Sequence, residues 1–208
     1  PWYDHEVPMR VAAEDGTRKV IRDHSTIGIV VTTDGSVTEL AREDYAPAEA
    51  RVVAELRDIG KPFLVLLNTA DPAGERAQSL AADLSVQYDA ACLPVNCQTL
   101  TEQDVLEILR TILYEFPVAE ACFRMPEWMD VLPPDNAVKQ QLYARLREQM
   151  PSLRCLRQAR RTAQALSEDP LLESADVEHI GVDTGSVCYV LAFPRALYYD
   201  AVSYTHLR

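Results

Sequence analysis

The chain has 208 residues, 48% of them hydrophobic, and a formal charge of −12 from 32 acidic and 20 basic side chains. That length supports one large domain, or one domain and part of another, around a real core. The acidic surplus argues against a general binder of nucleic acid or of anionic membrane, because the summed field repels phosphates.

Residues 8–24 predict a helix on which Val11, Val20 and Ile21 share a face. "TIGIVVTT" (26–33) is an unbroken β-branched run that ends in Asp34-Gly35. Such a run fits a strand buried on both faces, as in a parallel sheet. Residues 47–60 predict a helix with a Val52, Val53 and Leu56 stripe and Gly60 as its stop. "PFLVLLN" (62–68) is the next strand, residues 74–88 the next helix, and "AACLPVN" (90–96) a strand weakened by Pro94. Thr101 and Asp104 then have the spacing of a capping box, opening a helix whose apolar face is Val105, Ile108, Leu109 and Ile112.

Residues 8–116 therefore read as a helix followed by three strand–helix pairs, which means a parallel sheet with right-handed crossovers. Ligands of such sheets sit at the C-terminal ends of the strands. Those ends carry "TTDGS" (32–36), "NTADP" (68–72) and "NCQTLT" (96–101), all rich in side-chain donors and acceptors. After Pro117 the style changes to α+β. Residues 118–123 form a short strand, and Pro126, Pro133 and Pro134 break the next stretch. Helices are expected at about 136–149 and 152–167, and a hairpin at 177–193 turns around residues 183–186.

Candidate chemistry is sparse. "ELRDIGKP" (55–62) is the nearest approach to a phosphate-binding loop, but Glu55 stands where the first glycine belongs and Pro62 where the hydroxyl belongs. It also opens a strand, so the helix N-terminus that would attract phosphate is missing. None of the three lysines (19, 61, 139) is placed for phosphate. Asn68 and Asp71 fit either a polar turn that starts the next helix or a base-reading loop. In the second reading Asn68 orders the loop, and a carboxylate at Asp71 accepts from guanine N1–H and N2–H. Arg154, Arg157 and Arg161 are expected on one face of a helix, solvated or facing an acidic partner. The five cysteines (92, 97, 122, 155, 188) form no Cys-x-x-Cys pair and read as reduced thiols acting as small hydrophobes. No apolar stretch reaches the roughly 18 residues of a membrane span.

Several segments carry a resemblance: "PWYDHEVP" (1–8), "GTRKVIRDHSTIGIVVTTDGS" (16–36), "ARVVAEL" (50–56), "GKPFLVLLN" (60–68), "LTEQDV" (100–105) and "LYEFPVAE" (113–120). Through them the chain resembles the stage IV sporulation protein A family, the spore-coat morphogenetic ATPases of endospore-forming bacteria. The resemblance implies an α/β fold in which residues 1–117 are the second half of a P-loop domain of the translation-factor-related GTPase class. Residues 118–201 would begin a middle α+β domain, and 202–208 would be a non-native tail. The phosphate loop and the Mg ligands would then lie upstream of residue 1, leaving this fragment inactive and without catalytic or metal residues of its own.

By the same resemblance Asn68, Thr69 and Asp71 fall in one base-side loop, and Asn96, Cys97 and Gln98 in the second. The family implies ATP with Mg as ligands, and self-assembly into a polymer. Its implied partners are spore-coat proteins and a small membrane-associated sporulation protein, and its implied place is the cytoplasm of the mother cell at the forespore surface. Asp71 stands where the family often lacks an acid, which keeps a GTPase of the same class open. Thr69 replaces the lysine that lies over the base in a typical GTPase. A third alternative is a structural interaction module that uses no nucleotide.

Overall fold

Helix α1 (Met9–His24) begins just after the start of the described residues, 7–199, of the computed structural model. Of its predicted apolar face only Ile21 packs against the core; Val11 and Val20 are 41% and 52% exposed. Lys61 reaches back to the end of α1, donating to the Ser25 carbonyl at 2.6 Å.

The three predicted strands form as β1 (Gly28–Thr33), β2 (Phe63–Asn68) and β3 (Cys92–Val95), in a parallel sheet of order β1-β2-β3. Between them run α2 (Arg42–Ile59) and α3 (Glu75–Gln87), and α4 (Glu102–Tyr114) follows. Central β2 is buried on both faces, with Leu64, Val65 and Leu67 at 0% exposure. Each such side chain contributes about 1.5–3 kcal/mol of burial energy. One face of the sheet carries Val30, Phe63, Val65 and Leu67 into a core with Val53 and Leu56 of α2 and Ala81 and Leu84 of α3. Pro94 sits in edge strand β3, where a missing N–H is tolerated.

Strand β1 differs from expectation. It is an edge strand among the described residues, and its apolar side chains are covered on one face only: Val30 is buried, while Ile29 and Val31 are 47% and 61% exposed. An unbroken apolar run does not reveal which of its faces is covered. Helix α2 also begins five residues before Pro47, since Glu43 and Asp44 suit the positive end of the helix dipole. Its buried stripe is Glu49, Val53 and Leu56, with Val52 at the surface. The stop at Gly60 is as expected, in the left-handed region at φ 73° that glycine enters without cost. The capping box at α4 is present: Thr101 Oγ1 accepts from Asp104 N, and Asp104 accepts from Thr101 N. Ile108 and Ile112 are buried, but Val105 and Leu109 are 45% and 52% exposed.

A second compact unit starts at Phe116. It contains β4 (Glu120–Arg124), α5 (Glu127–Val131), α6 (Ala137–Gln149), α7 (Ala159–Ser167), β5 (Ser174–Gly181) and β6 (Ser186–Ala192). The hairpin β5–β6 is antiparallel, and β4 adds parallel to β6. Tyr189 anchors the core at 0% exposure, stacking on Phe123 with ring centroids 5.3 Å apart and donating to the Ala159 carbonyl at 3.3 Å.

Two expectations fail here. Residues 152–158 are not helical throughout: Cys155 is extended (φ −135°, ψ 162°), with short 3-10 turns on either side. At the break the Gln158 side chain accepts from the backbone N–H groups of Arg154 and Cys155, and Cys155 forms an antiparallel bridge with Pro117. Arg154 thus precedes the helix that carries Arg161, and the three arginines do not share a helical face. Nor are all five cysteines thiols. Register pairs Cys122 directly with Cys188 across β4 and β6, 4.7 Å apart at Cα, and a disulfide joins them. Their separation of 66 residues hides this pairing in the sequence. Alkylation of denatured, unreduced chain should therefore label Cys92, Cys97 and Cys155 only, with Cys122 and Cys188 added after reduction. Mass spectrometry reads the difference, and labelling of all five before reduction would contradict the bridge.

Candidate functional site

The parallel register ends Thr33, Asn68 and Val95 side by side, so three polar loops leave the sheet together. They are tied to one another by side chains. Asp34 Oδ1 accepts from the Ser36 backbone N–H at 2.9 Å and from the Ser36 hydroxyl at 2.6 Å. Asp34 Oδ2 accepts from Thr69 Oγ1 at 2.7 Å. Ser36 Oγ in turn accepts from Ala70 N at 2.9 Å, closing the first loop onto the second. Burial works to raise the Asp34 pKa, but the hydrogen bonds from Ser36 and Thr69 outweigh it and hold the carboxyl below its ordinary value of 3.8.

The second and third loops meet through the asparagines. Asn68 Oδ1 accepts from Cys97 N at 3.0 Å. Asn96 Oδ1 accepts from Gln98 N at 3.0 Å, and its Nδ2 donates to the Ala70 carbonyl at 3.5 Å. The predicted base-side residues therefore divide. Asn68 and Asn96 order the loops; Cys97 is exposed on the third loop. Thr69 is 1% exposed and spends its hydroxyl on Asp34 while accepting from Asp71 N at 3.3 Å. Asp71 is exposed, and its carboxylate folds over Gly74 at the start of α3, where an added Cβ would meet Asp71 Oδ2 at 2.6 Å.

The sequence marks "TTDGS" (32–36) as a donor-rich strand end but singles out neither Asp34 nor Ser36. These two residues, with Thr69, hold the first two loops together. Their signal was the Asx-turn pattern Asp34-Gly35-Ser36 directly after an apolar run. Also missed was the support beneath the first loop. Arg42, at the start of α2, donates to Glu49 Oε1 at 2.7 Å and to Thr32 Oγ1 at 3.3 Å. Tyr88 Oη donates to the same Glu49 oxygen at 2.7 Å. Glu49 is 5% exposed. Burial raises its pKa, but hydrogen bonds from Arg42, Thr32 and Tyr88 and the charge of Arg42 bring it below its ordinary value. Burial first, then the carboxylate, push Tyr88 up to about 12. An acid at the i position of a stripe continued by Val53 and Leu56 was the available clue.

Chemically the cluster is an ordered binding surface. Its carboxylate and hydroxyls are committed to one another, and the exposed edges are residues 70–71 and 97–99. Among the described residues no group of three or more His, Cys, Asp or Glu is placed to hold a metal. Lys61 and Lys139 are engaged on backbone carbonyls. Among the described residues, then, neither such a carboxylate or thiol group nor these two lysines form a metal or phosphate cradle.

The parallel sheet, its crossover helices and a polar cluster at the strand ends define an α/β domain of the kind that binds ligands at its carboxyl edge. The comparisons specify it further. A family model described as "Stage IV sporulation protein A, ATPase domain" matches residues 1–117, and one described as "Stage IV sporulation protein A, middle domain" matches residues 118–206. The chain belongs to the stage IV sporulation protein A family. It is 39% identical over 198 residues to the stage IV sporulation protein A of Bacillus subtilis (strain 168), covering 95% of this chain and 40% of that relative. It is 38% identical to the Bacillus anthracis protein of that name over the same shares. With the Clostridioides difficile (strain 630) protein it shares 35% over 97% of this chain and 41% of the relative. The chain thus spans about two-fifths of the length of these relatives. No solved structure matches it.

Proposed function

We propose that the chain is the base-side half of an ATP-hydrolysing domain, followed by the start of a middle domain at about residue 118. The whole protein would be a morphogenetic ATPase that self-assembles at the forespore surface in the mother cell as the base layer of the spore coat. Spore-coat proteins and a small membrane-associated sporulation protein would be its partners. The observation that carries this is the convergence of the Asn68 and Asn96 loops at the strand ends of a unit matching an ATPase-domain family. Adenine would lie against residues 70–71 and 97–98. Magnesium, when bound, would offset charge on the phosphates through groups outside this chain.

The guanine alternative rests on Asp71. Its carboxylate folding back over Gly74 at the start of α3 favours the turn reading of that acid, and so favours adenine. Turnover of ATP and GTP by this chain and by the protein extended upstream of residue 1 tests the proposal. The chain alone should release no phosphate above background, while the extended protein hydrolyses ATP in a Mg-dependent manner. Dominant GTP hydrolysis that Asp71→Asn abolishes would overturn the adenine assignment. Assembly that proceeds equally well without nucleotide would favour a purely structural module.

A further inference from the structure

The groove along β3 has a one-sided chemistry. It encloses about 540 Å³ and is lined by α3, β3 and α4. No Lys, Arg or His lines it. Asp104 and Glu107 stand one turn apart on its α4 wall. Asp104 uses Oδ2 for the capping box, which leaves Oδ1 unengaged. Glu107 is exposed and has no ion-pair partner among the described residues.

Donors on the α3 wall are already spent. Ser85 Oγ donates to the Ala90 carbonyl, and Gln78 Nε2 to the Pro72 carbonyl. The strand edge adds acceptors. Val65 N and Thr69 N donate to the Ala91 and Val95 carbonyls, so the odd-numbered residues of β3 face β2. By alternation the Cys92 and Pro94 carbonyls point outward, and Pro94 has no N–H to offer. Pro94 thereby opposes addition of a further strand at this edge. Two carboxylates and two carbonyls fit a side chain with many donors and no acceptor, which is a guanidinium.

The same chain carries unpaired guanidinium groups in its second unit. Residues 149–167 hold four arginines and no acid. Arg154, Arg160 and Arg161 are exposed, with no ion-pair partner among the described residues. Arg160 and Arg161 fall in the first turn of α7, which contains no acid. Cations at that end of a helix oppose its dipole, so the chain by itself gains nothing from placing them there. Charge is divided between the units in the complementary sense. Residues 1–115 hold 20 acidic and 10 basic side chains, and residues 116–208 hold 12 and 10.

We infer that the α3–α4 groove of one copy receives the Arg160–Arg161 turn of a second copy of this chain. Guanidinium N–H groups donate to Glu107 and to Asp104 Oδ1, as charge-assisted hydrogen bonds, and the outward carbonyls of β3 take further N–H groups. The two faces are different patches on different units, so the contact is heterologous and runs head to tail. It deepens the self-assembly part of the proposed function and rests on that reading, but not on which nucleotide the strand ends hold.

Charge reversal in the protein extended to the length of its relatives is the test, read by sedimentation velocity against protein concentration. Glu107→Arg, and separately Arg160→Glu with Arg161→Glu, should each raise the concentration for half-assembly at least about tenfold. All three substitutions in one chain should return it to within about threefold of the unsubstituted protein, because the same charges meet with roles exchanged. Thermal melting of the unassembled variants separates a folding defect from a lost contact. Their Tm should stay within about 2 °C, since these side chains are exposed. Undiminished assembly of either reversed variant would overturn the contact, and so would a combined variant no better than its parents. A Tm drop of about 5 °C or more that the combined variant repairs would also overturn it, by placing the contact within one chain. An unsubstituted protein that never assembles would overturn the self-assembly reading itself, and this contact with it.

Discussion

Arg42→Ala is expected to destabilise the first unit by about 3 kcal/mol in urea or thermal unfolding, the range for stripping one partner from a buried ion pair. The magnitude follows from what is left behind. Side-chain exposure is 16% for Arg42 and 2% for Glu49. Glu49 Oε1 would lose its charged partner while keeping the Tyr88 hydroxyl, and Oε2 already has no hydrogen-bond partner among the described residues. Replacing both members together, as Arg42→Leu with Glu49→Leu, should recover most of the loss, because no buried charge then remains. A double variant as unstable as Arg42→Ala would show that the pair acts through packing instead.

The same network sets an acid limit. Glu49 has a folded pKa below its unfolded value of 4.5, and Asp34 one below 3.8. Each contributes stability that is complete above those unfolded values and is lost as pH falls through the lower folded ones. Unfolding free energy should therefore be flat above pH 4.5 with respect to these two groups and decline below it. Glu49→Gln should remove part of that decline.

The sheet was legible because its strands are bounded apolar runs and its helices carry conventional stops and caps, at Gly60 and at Thr101–Asp104. What was not legible depends on partners distant in sequence. Whether Ile29 and Val31 are covered is a property of what lies beside β1, and periodicity carries no record of that. Cys122 and Cys188 became a pair only when β6 was laid next to β4. The three arginines are separated where the Gln158 side chain and a backbone bridge to Pro117 hold Cys155 extended in place of helix. At the site, the sequence left Asn68 open between a polar turn and a base-reading loop, and its acceptor role toward Cys97 N in the neighbouring loop depends on β3 lying beside β2. Thr69 was expected beside a base, but its hydroxyl is turned inward to Asp34, because the next loop needs a tie that only the fold reveals.

Asn68→Ala carries the second large effect. It deletes the acceptor that Cys97 N uses and leaves the third loop without its tether to β2. In the extended protein KM for ATP should rise about tenfold, equivalent to one or so hydrogen bonds to a positioned loop, while kcat changes less. Asn68→Asp keeps an acceptor oxygen for the Cys97 amide and should restore much of the affinity. Equal loss in kcat and in kcat/KM would instead place Asn68 in the chemical step.

The most direct measurement is photolabelling of the extended protein with 8-azido-ATP, followed by peptide mapping. Adduct on residues 68–71 and 96–98, competed by ATP and weakened by Asn68→Ala, is the predicted result. Label confined to residues beyond 117, or label on these loops that ATP fails to displace, would contradict a base site at the ends of β2 and β3.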